Sequence, residues 1–244
     1  MSAEGFIILG NQLFPLNHIK KYKSCHFFMA EDYELCSYFK FHKHKLIFFL
    51  ASMRSYKDSL VKEGLKCHYE KLDEQKRDNN YEKKLKVFIK LNNIKKLKVF
   101  DIPDSFFRKR ILKFCSSNKL ELEIIKSPMF MTDQNLIDEY FSKNKKPFLN
   151  NFYKLQRINE NILIENKLPL GGKWSLDEEN RKKLPKNIKI PPLPTAKKDI
   201  NIEETKLLVD KKFKSHPGNI NGFFLPTNRK LALLWLQNFL EERF

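Results

Sequence analysis

Glycine, tryptophan and long apolar stretches are all scarce in this chain. Its 244 residues include 7 glycines and 2 tryptophans, and no apolar run approaches the roughly 20 residues that cross a bilayer. The amino terminus, Met-Ser-Ala-Glu-Gly, lacks the basic and apolar regions of a secretory signal. We therefore expect a cytoplasmic protein with no membrane partner.

Cysteine is also rare, and its spacing is uninformative for metal or redox chemistry. The chain has 4 cysteines and no C-x-x-C pair, so neither a zinc site nor a dithiol motif is predicted. Each lies beside apolar residues, which favours buried free thiols in a reducing compartment. The cysteines are Cys25, Cys36, Cys67 and Cys115.

Several common motifs are missing, and each absence excludes a class of function. There is no G-x-x-x-x-G-K-S/T, no G-x-G-x-x-G and no G-x-S-x-G. P-loop nucleotide hydrolysis, standard dinucleotide binding and an α/β-hydrolase nucleophile therefore have no support. No His, Asp or Glu cluster has metal-ligand spacing. We predict no catalytic residue and no metal ligand.

Acidic residues are outnumbered by basic ones. The chain has 47 Lys and Arg against 29 Asp and Glu, which gives a formal net charge of +18. Such an excess favours an anionic partner, and nucleic acid is the first candidate. Because lysine is spread along the whole chain, a compositional bias without function is the alternative.

The hydrophobic pattern predicts an α/β fold. Short apolar runs, three of which end at Gly10, Pro103 or Ser127-Pro128, alternate with longer stretches of helical period up to about residue 130. Strand–helix–strand alternation requires crossover connections, and hence a mostly parallel, doubly wound sheet covered on both faces. The predicted strands are Phe6–Leu9, His26–Met29, His68–Leu72, Leu97–Ile102 and Leu120–Ile125.

Helices predominate after this domain. We divide the chain into an α/β domain over 1–130, helices and a connector over 131–200, and a helical segment over 201–244. The connector includes a proline-rich stretch, Pro185–Pro194, that favours extended backbone. The predicted helices are Tyr38–Glu63, Tyr81–Leu91, Asp104–Asn118, Thr132–Lys143, Pro147–Asn161, Glu203–Phe213 and Thr227–Phe244, with Asp104 and Thr132 as caps.

A candidate ligand site follows the first two strands. Ligands of open parallel sheets bind beyond the carboxyl ends of the strands, where polar residues and one face of the next helix come together. The alternatives are that Asn11 caps a turn, that the apolar pair belongs to the core and that His42 is solvated. The predicted site comprises Gly10, Asn11, Gln12, Leu13, Glu31, His42, Phe49 and Met53.

The second half offers two further features. Lys154 and Arg157 are interleaved with aromatic residues, and Arg181 with Lys182 adds charge, as on a surface that tracks phosphates. A helix with one buried and one wet face is the alternative. Gly171 and Gly172 permit a tight turn before Trp174, and we predict that these three residues are structural.

Five segments resemble one protein family. The stretch Gly171–Arg181 is similar to the signature G-G-x-W-S/T-x-D-x-x-N-R of the deoxyribodipyrimidine photolyase-related proteins, the iron–sulfur bacterial branch of the photolyase/cryptochrome family. Four other segments match in family order. They are Ile8–Leu13, His42–Arg54, Ser127–Thr132 and Lys146–Tyr153.

The resemblance implies a light-driven DNA-repair flavoprotein acting on UV pyrimidine photoproducts. It implies a Rossmann-like antenna domain that holds a lumazine-type pigment in the predicted site. The commoner family form has Asp where this chain has Asn11. The loop after the fourth strand, usually Glu-Pro with further acids in the family, is Ile102-Pro103-Asp104-Ser105 here and has lost an acid. FAD and an iron–sulfur cluster are expected only in a C-terminal half beyond this chain, so that 201–244 would begin a truncated flavin-binding domain.

On this interpretation the chain binds an antenna pigment, contacts DNA and does not repair alone. A flavin domain supplied as a separate chain would be its partner. A truncated chain, a split gene product and a stand-alone half all remain open. The alternative function is a stand-alone basic α/β module that binds a nucleotide or RNA without catalysis.

Overall fold

The computed structural model describes residues 3–72, 79–177, 180–189 and 199–243. These residues form two compact units. The described residues up to Ser127, together with those from Asp199 onward, make the first unit, and those between Pro128 and Lys189 make the second. The proline-rich stretch predicted as a connector lies outside the described residues from position 190 to 194, as does Phe244.

The first unit is built on a parallel sheet of five strands in the order β3-β2-β1-β4-β5. All four neighbouring pairs are parallel. Strand order reverses between β1 and β4, as in doubly wound folds. The predicted fold class is confirmed. The strands are β1 (Ala3–Ile7), β2 (His26–Ala30), β3 (Cys67–Glu70), β4 (Ile94–Phe100) and β5 (Glu121–Ile125).

Helices connect these strands and cover both faces of the sheet, and two of them follow after the second unit. Asp104 caps one of them, as predicted, and its Oδ1 accepts a hydrogen bond of 2.7 Å from the Phe107 backbone N–H. The helices of the first unit are α1 (Asn17–Lys20), α2 (Tyr33–Ser37), α3 (Lys43–Lys62), α4 (Tyr81–Leu91), α5 (Ser105–Ser117), α8 (Ile200–Lys212) and α9 (Arg229–Arg243).

The apolar side chains of the central strands alternate between two cores. Ile7 and Leu9 point to the layer of α4 and α5, whereas Phe6 and Ile8 point to the layer of α1 and α3. This period of two is what a sheet buried on both faces requires. Helix α8 packs against α3 in a third cluster that includes Val209. The central strands are therefore held from both sides.

The second unit has two helices and a two-stranded antiparallel ladder. Its elements are α6 (Gln134–Lys143), α7 (Leu149–Asn159), β6 (Ile164–Glu165) and β7 (Leu168–Pro169), followed by a 3-10 turn over Leu170–Gly172. Gly171 and Gly172 have φ of 70° and 73°, in the left-handed region that favours glycine. In the described part of either unit, no helix is long and apolar enough to span a membrane.

Several predicted boundaries are wrong by a few residues, and for two helices the structure shows a local cause. The helix predicted over Tyr38–Glu63 begins at Lys43, because His42 is an extended cap whose Nδ1 accepts from the His44 backbone N–H at 3.1 Å. The helix predicted from Thr132 begins at Gln134, because the side chain of Asp133 accepts from the Asn135 backbone N–H. In both cases a local hydrogen bond sets the start of the helix within a longer stretch of helical period.

Candidate functional site

A cavity of about 440 Å³ lies beside the carboxyl ends of β1, β2 and β4. This is the edge of the sheet where doubly wound folds bind ligands, and the volume suits a small organic molecule. The segment after β1 contributes Gly10 and Asn11, and the segment after β2 contributes Glu31 and Asp32. The remaining wall comes from α2, α3, α4 and the start of α5.

One wall of the cavity is apolar and belongs to α3. Phe49 and Met53 lie one turn apart on the helix and both line the cavity. They pack directly over Gly10. A Cβ atom at Gly10 would lie 2.6 Å from Cε1 of Phe49 and 2.7 Å from Sδ of Met53. Any larger residue at this position would force these two side chains to move.

Five of the eight residues predicted for this site line the cavity, namely Gly10, Asn11, Glu31, Phe49 and Met53. The other three lie elsewhere. Gln12 is fully buried, and its Nε2 donates to the backbone oxygen of Asp101 at 2.8 Å. Leu13 packs in the core beneath α1 and α3. His42 is the exposed cap of α3.

Glu31 contributes to the wall, but its carboxylate is occupied by the protein. Oε1 accepts from Arg54 Nε at 2.7 Å and from the Tyr69 hydroxyl at 2.8 Å. Oε2 accepts from Arg54 Nη2 at 3.0 Å and from the Leu72 backbone N–H at 2.8 Å. These four hydrogen bonds hold the segment after β2 against α3 and the segment around β3, and they leave the carboxylate committed to the protein. Sequence reasoning missed Arg54, whose charge in a helical stretch looks like solvated surface.

A second buried ion pair lies next to the first. Lys84 Nζ donates to Oδ2 of Asp32 at 2.8 Å and to the backbone oxygen of Glu31 at 2.9 Å. Oδ1 of Asp32 also caps α2 by accepting from the Leu35 N–H at 3.1 Å. Both partners of the pair are 1% exposed. This pair fixes the start of α4 against the segment that follows β2.

Tyr81 and Cys36 are cavity residues that the sequence did not reveal. Burial, and then the charges of Glu31 and Asp32, raises the pKa of the Cys36 thiol to about 12. Burial, and then the charges of Asp32 and Glu82, raises the pKa of Tyr81. Both groups therefore keep their protons at neutral pH. The only sequence signal for Tyr81 was its place at the start of a helix.

In the second unit, Arg157 is buried and bonded to the backbone, although the sequence had suggested a phosphate contact for it. Its guanidinium donates to the backbone oxygens of Leu163 at 2.6 Å and Trp174 at 2.8 Å, and more weakly to those of Ile162 and Lys173. Its Cζ lies 5.5 Å from the centroid of the half-buried Trp174 ring. The guanidinium thus joins the end of α7 to the segment after the glycine turn.

The other predicted phosphate contacts are more accessible. Lys154 Nζ lies 5.8 Å from the centroid of the Trp174 ring. Arg181 and Lys182 are exposed. Across the described parts of both units, no three His, Cys, Asp or Glu side chains are grouped to hold a metal ion. All four cysteines are free thiols.

Fold and site together define a doubly wound α/β protein with a ligand-sized cavity at the carboxyl edge of its sheet. The chain belongs to the deoxyribodipyrimidine photo-lyase-related protein family, whose sequence profile matches residues 6–225. The family predicted from the five segments is thereby confirmed.

The chain is also similar in sequence to two proteins of other organisms. It is 23% identical over 240 residues to a (6-4) photolyase of Agrobacterium fabrum, an alignment that covers 97% of this chain and 47% of that protein. It is 28% identical over 193 residues to an uncharacterized protein of Acanthamoeba polyphaga mimivirus, covering 75% of this chain and 95% of that protein. The chain thus spans about half the length of the photolyase and nearly all of the viral protein.

Proposed function

We propose that this chain is the antenna-type portion of a photolyase-related flavoprotein that takes part in light-driven repair of UV pyrimidine photoproducts in DNA. Its cavity would hold a lumazine-type pigment, whose excitation would pass to a flavin held outside the described residues. The observation that carries the proposal is the cavity at the carboxyl edge of the sheet, in a member of this family.

The cavity residues fit a flat ring. Phe49 and Met53 offer an apolar surface, and Gly10 leaves the space in which they pack. Asn11 is exposed at the opening and carries both a donor and an acceptor for the polar edge of a heterocycle. When bound, the pigment would supply light absorption, and the protein's part would be to hold and orient the ring.

The described cysteines do not fit an iron–sulfur cluster. Cys25, Cys36 and Cys115 are buried free thiols in separate parts of the first unit. We place FAD and the cluster in a flavin domain outside the described residues, on the same or another chain. DNA would be the anionic partner of the +18 net charge.

A titration with 6,7-dimethyl-8-ribityllumazine tests the proposal. We expect saturable binding, with changed fluorescence, at one molecule per chain. In Gly10→Ala the new methyl group would push Phe49 and Met53 into the cavity and weaken binding. Gly222→Ala is the control, because no atom lies within 4 Å of its Cβ position. Its φ of +69° adds a backbone strain that Gly10 does not have, so unchanged binding in Gly222→Ala would show that strain away from the cavity does not weaken binding.

The second candidate is a nucleotide- or RNA-binding module, which the net charge favours. The same titration separates the two. A chain that ignores the lumazine but binds RNA with a steep salt dependence would favour the module and overturn the antenna proposal.

A further inference from the structure

Tyr81 is a rigidly held tyrosine in the cavity wall. It is the first residue of α4 and is 2% exposed. Its ring lies edge-on to Phe28, with centroids 5.6 Å apart, and to Phe107, with centroids 5.1 Å apart. Aromatic neighbours on two sides fix the position of the ring, and therefore of its hydroxyl.

The Tyr81 hydroxyl is buried and has no hydrogen-bond partner among the described residues. Other tyrosines of the unit behave differently. Tyr56 donates to the backbone oxygen of Phe14 and Tyr69 donates to Glu31, each at 2.8 Å. Buried hydroxyls are normally paired because an unpaired one has lost its water without compensation. Phenylalanine would fill the same space without that penalty.

An anionic acceptor lies in the neighbourhood of this donor, because the charge of Asp32 is, after burial, the largest cause of the raised pKa of Tyr81. Lys84, three residues after Tyr81 and therefore on the same side of α4, forms its ion pair with Asp32. Asp32 also lines the cavity. Each of its two carboxylate oxygens already accepts one hydrogen bond, and a carboxylate oxygen accepts up to two. The wall formed by α2 and α4 thus offers an O–H donor beside an anionic acceptor.

We propose that Tyr81 is a specificity-determining residue that donates a hydrogen bond to a ring carbonyl of the ligand, while Asp32 accepts one from the adjacent ring N–H. The ligand class is then a flat heterocycle with an imide edge, in which a carbonyl group adjoins an N–H group. The inference rests on the proposed function and narrows the class of ligand. Helix α3 would supply the apolar surface for the ring, and Tyr81 with Asp32 would select ligands by their hydrogen-bonding groups.

The test compares two variants and two ligands. Tyr81→Phe removes only the unpaired hydroxyl, and Tyr56→Phe removes a paired hydroxyl outside the cavity. The ligands are 6,7-dimethyl-8-ribityllumazine and its N3-methyl derivative, which lacks the imide N–H. Affinity is measured by fluorescence titration, and stability by thermal unfolding of the ligand-free chain with circular dichroism as a check on folding.

The two variants should give opposite results. Tyr81→Phe should keep or raise the melting temperature and weaken lumazine binding about five- to tenfold, the effect of one hydrogen bond. Tyr56→Phe should lower the melting temperature and leave the affinity unchanged. The wild-type chain should bind the N3-methyl derivative more weakly than the parent lumazine.

Each contrary result has a distinct meaning. Equal lumazine affinity in Tyr81→Phe and wild type would overturn the role of Tyr81. Equal affinity of the wild type for both lumazines would overturn the imide recognition, and this comparison requires no variant to fold. A wild-type chain that binds neither lumazine would remove the proposed function itself.

Discussion

Arg54 and Glu31 form a two-pronged ion pair in which the side chains are 2% and 0% exposed. Arg54 also reaches Glu204 of α8, at 3.2 Å from Nη1 to Oε2. The pair therefore connects the segment after β2, the middle of α3 and a helix that follows the second unit. Glu31 stands in the cavity wall, so the same interaction that stabilises the unit also fixes the shape of the site.

Removing one partner of this pair should be costly. Arg54→Met leaves the Glu31 carboxylate buried without its main counter-charge, and we expect a loss of about 3 to 5 kcal/mol in the free energy of unfolding. Urea denaturation measures the loss. Arg108→Met is the matched control, because its pair with Asp101 is about half exposed and should contribute less than about 1 kcal/mol. Similar losses in both variants would contradict the structural role given to Arg54.

Phe49→Trp should exclude the ligand while leaving the fold intact. The larger ring would extend into the cavity, so we expect the loss of lumazine binding. The free energy of unfolding should fall by about 3 kcal/mol at most. Pigment content after expression with added lumazine, read beside circular dichroism, measures both. An unfolded variant would place Phe49 in the core, and a folded variant with full pigment content would place the ligand elsewhere.

Arg181 and Lys182 should carry phosphate contacts that Arg157 cannot. Arg181→Ala and Lys182→Ala should each reduce the slope of log affinity for DNA against log salt by about 0.9. Lys90 is an exposed lysine in the other unit. The variant Lys90→Ala tests whether the loss of any exposed lysine reduces the slope to the same extent. Identical slopes in all three variants would favour the compositional explanation of the basic charge.

Arg157→Lys should instead loosen residues 162–174, measured by hydrogen exchange.

The contribution of the Glu82–Arg110 pair should depend on pH. Hydrogen bonds from Arg110, at 2.7 Å to each Glu82 oxygen, lower the pKa of Glu82 below its ordinary value of 4.5. A lowered folded-state pKa means that this stability is present above pH 4.5 and is lost as the pH falls through the lower value. The melting temperature of Arg110→Met should therefore lie below that of wild type at pH 7 and converge with it in acid. A constant difference across this range would count against the pair.

The sequence revealed the strands because their period is local. The side chains of Phe6 to Leu9 alternate between two cores, and that alternation is visible in the sequence. It did not reveal which charges are buried. Arg54 and Glu31 are 23 residues apart, and Lys84 and Asp32 are 52 apart. Burial of such pairs depends on strand order, which a hydrophobic pattern does not contain.

The part of the candidate site that depends on strand ends was predictable from the sequence, and the part that depends on long-range packing was not. Gly10, Asn11 and Glu31 follow strand ends, so parallel pairing alone brings them to one edge of the sheet. Gln12 follows the same strand, but its side chain turns towards the end of β4. Tyr81 enters the wall from a helix between β3 and β4, and no local feature distinguishes it from a core tyrosine.

The first unit is discontinuous along the chain, and this affects the order of its assembly. Helix α8 rests on α3, and Lys43 with Asp210 and Asn201 with Asp58 join residues separated by more than a hundred positions. During synthesis the sheet emerges first and covers one side of α3, but the face that packs against α8 stays uncovered until the ribosome has passed Lys212. The nascent chain must therefore keep an apolar helix face soluble while the whole second unit is made, which is a task suited to a chaperone.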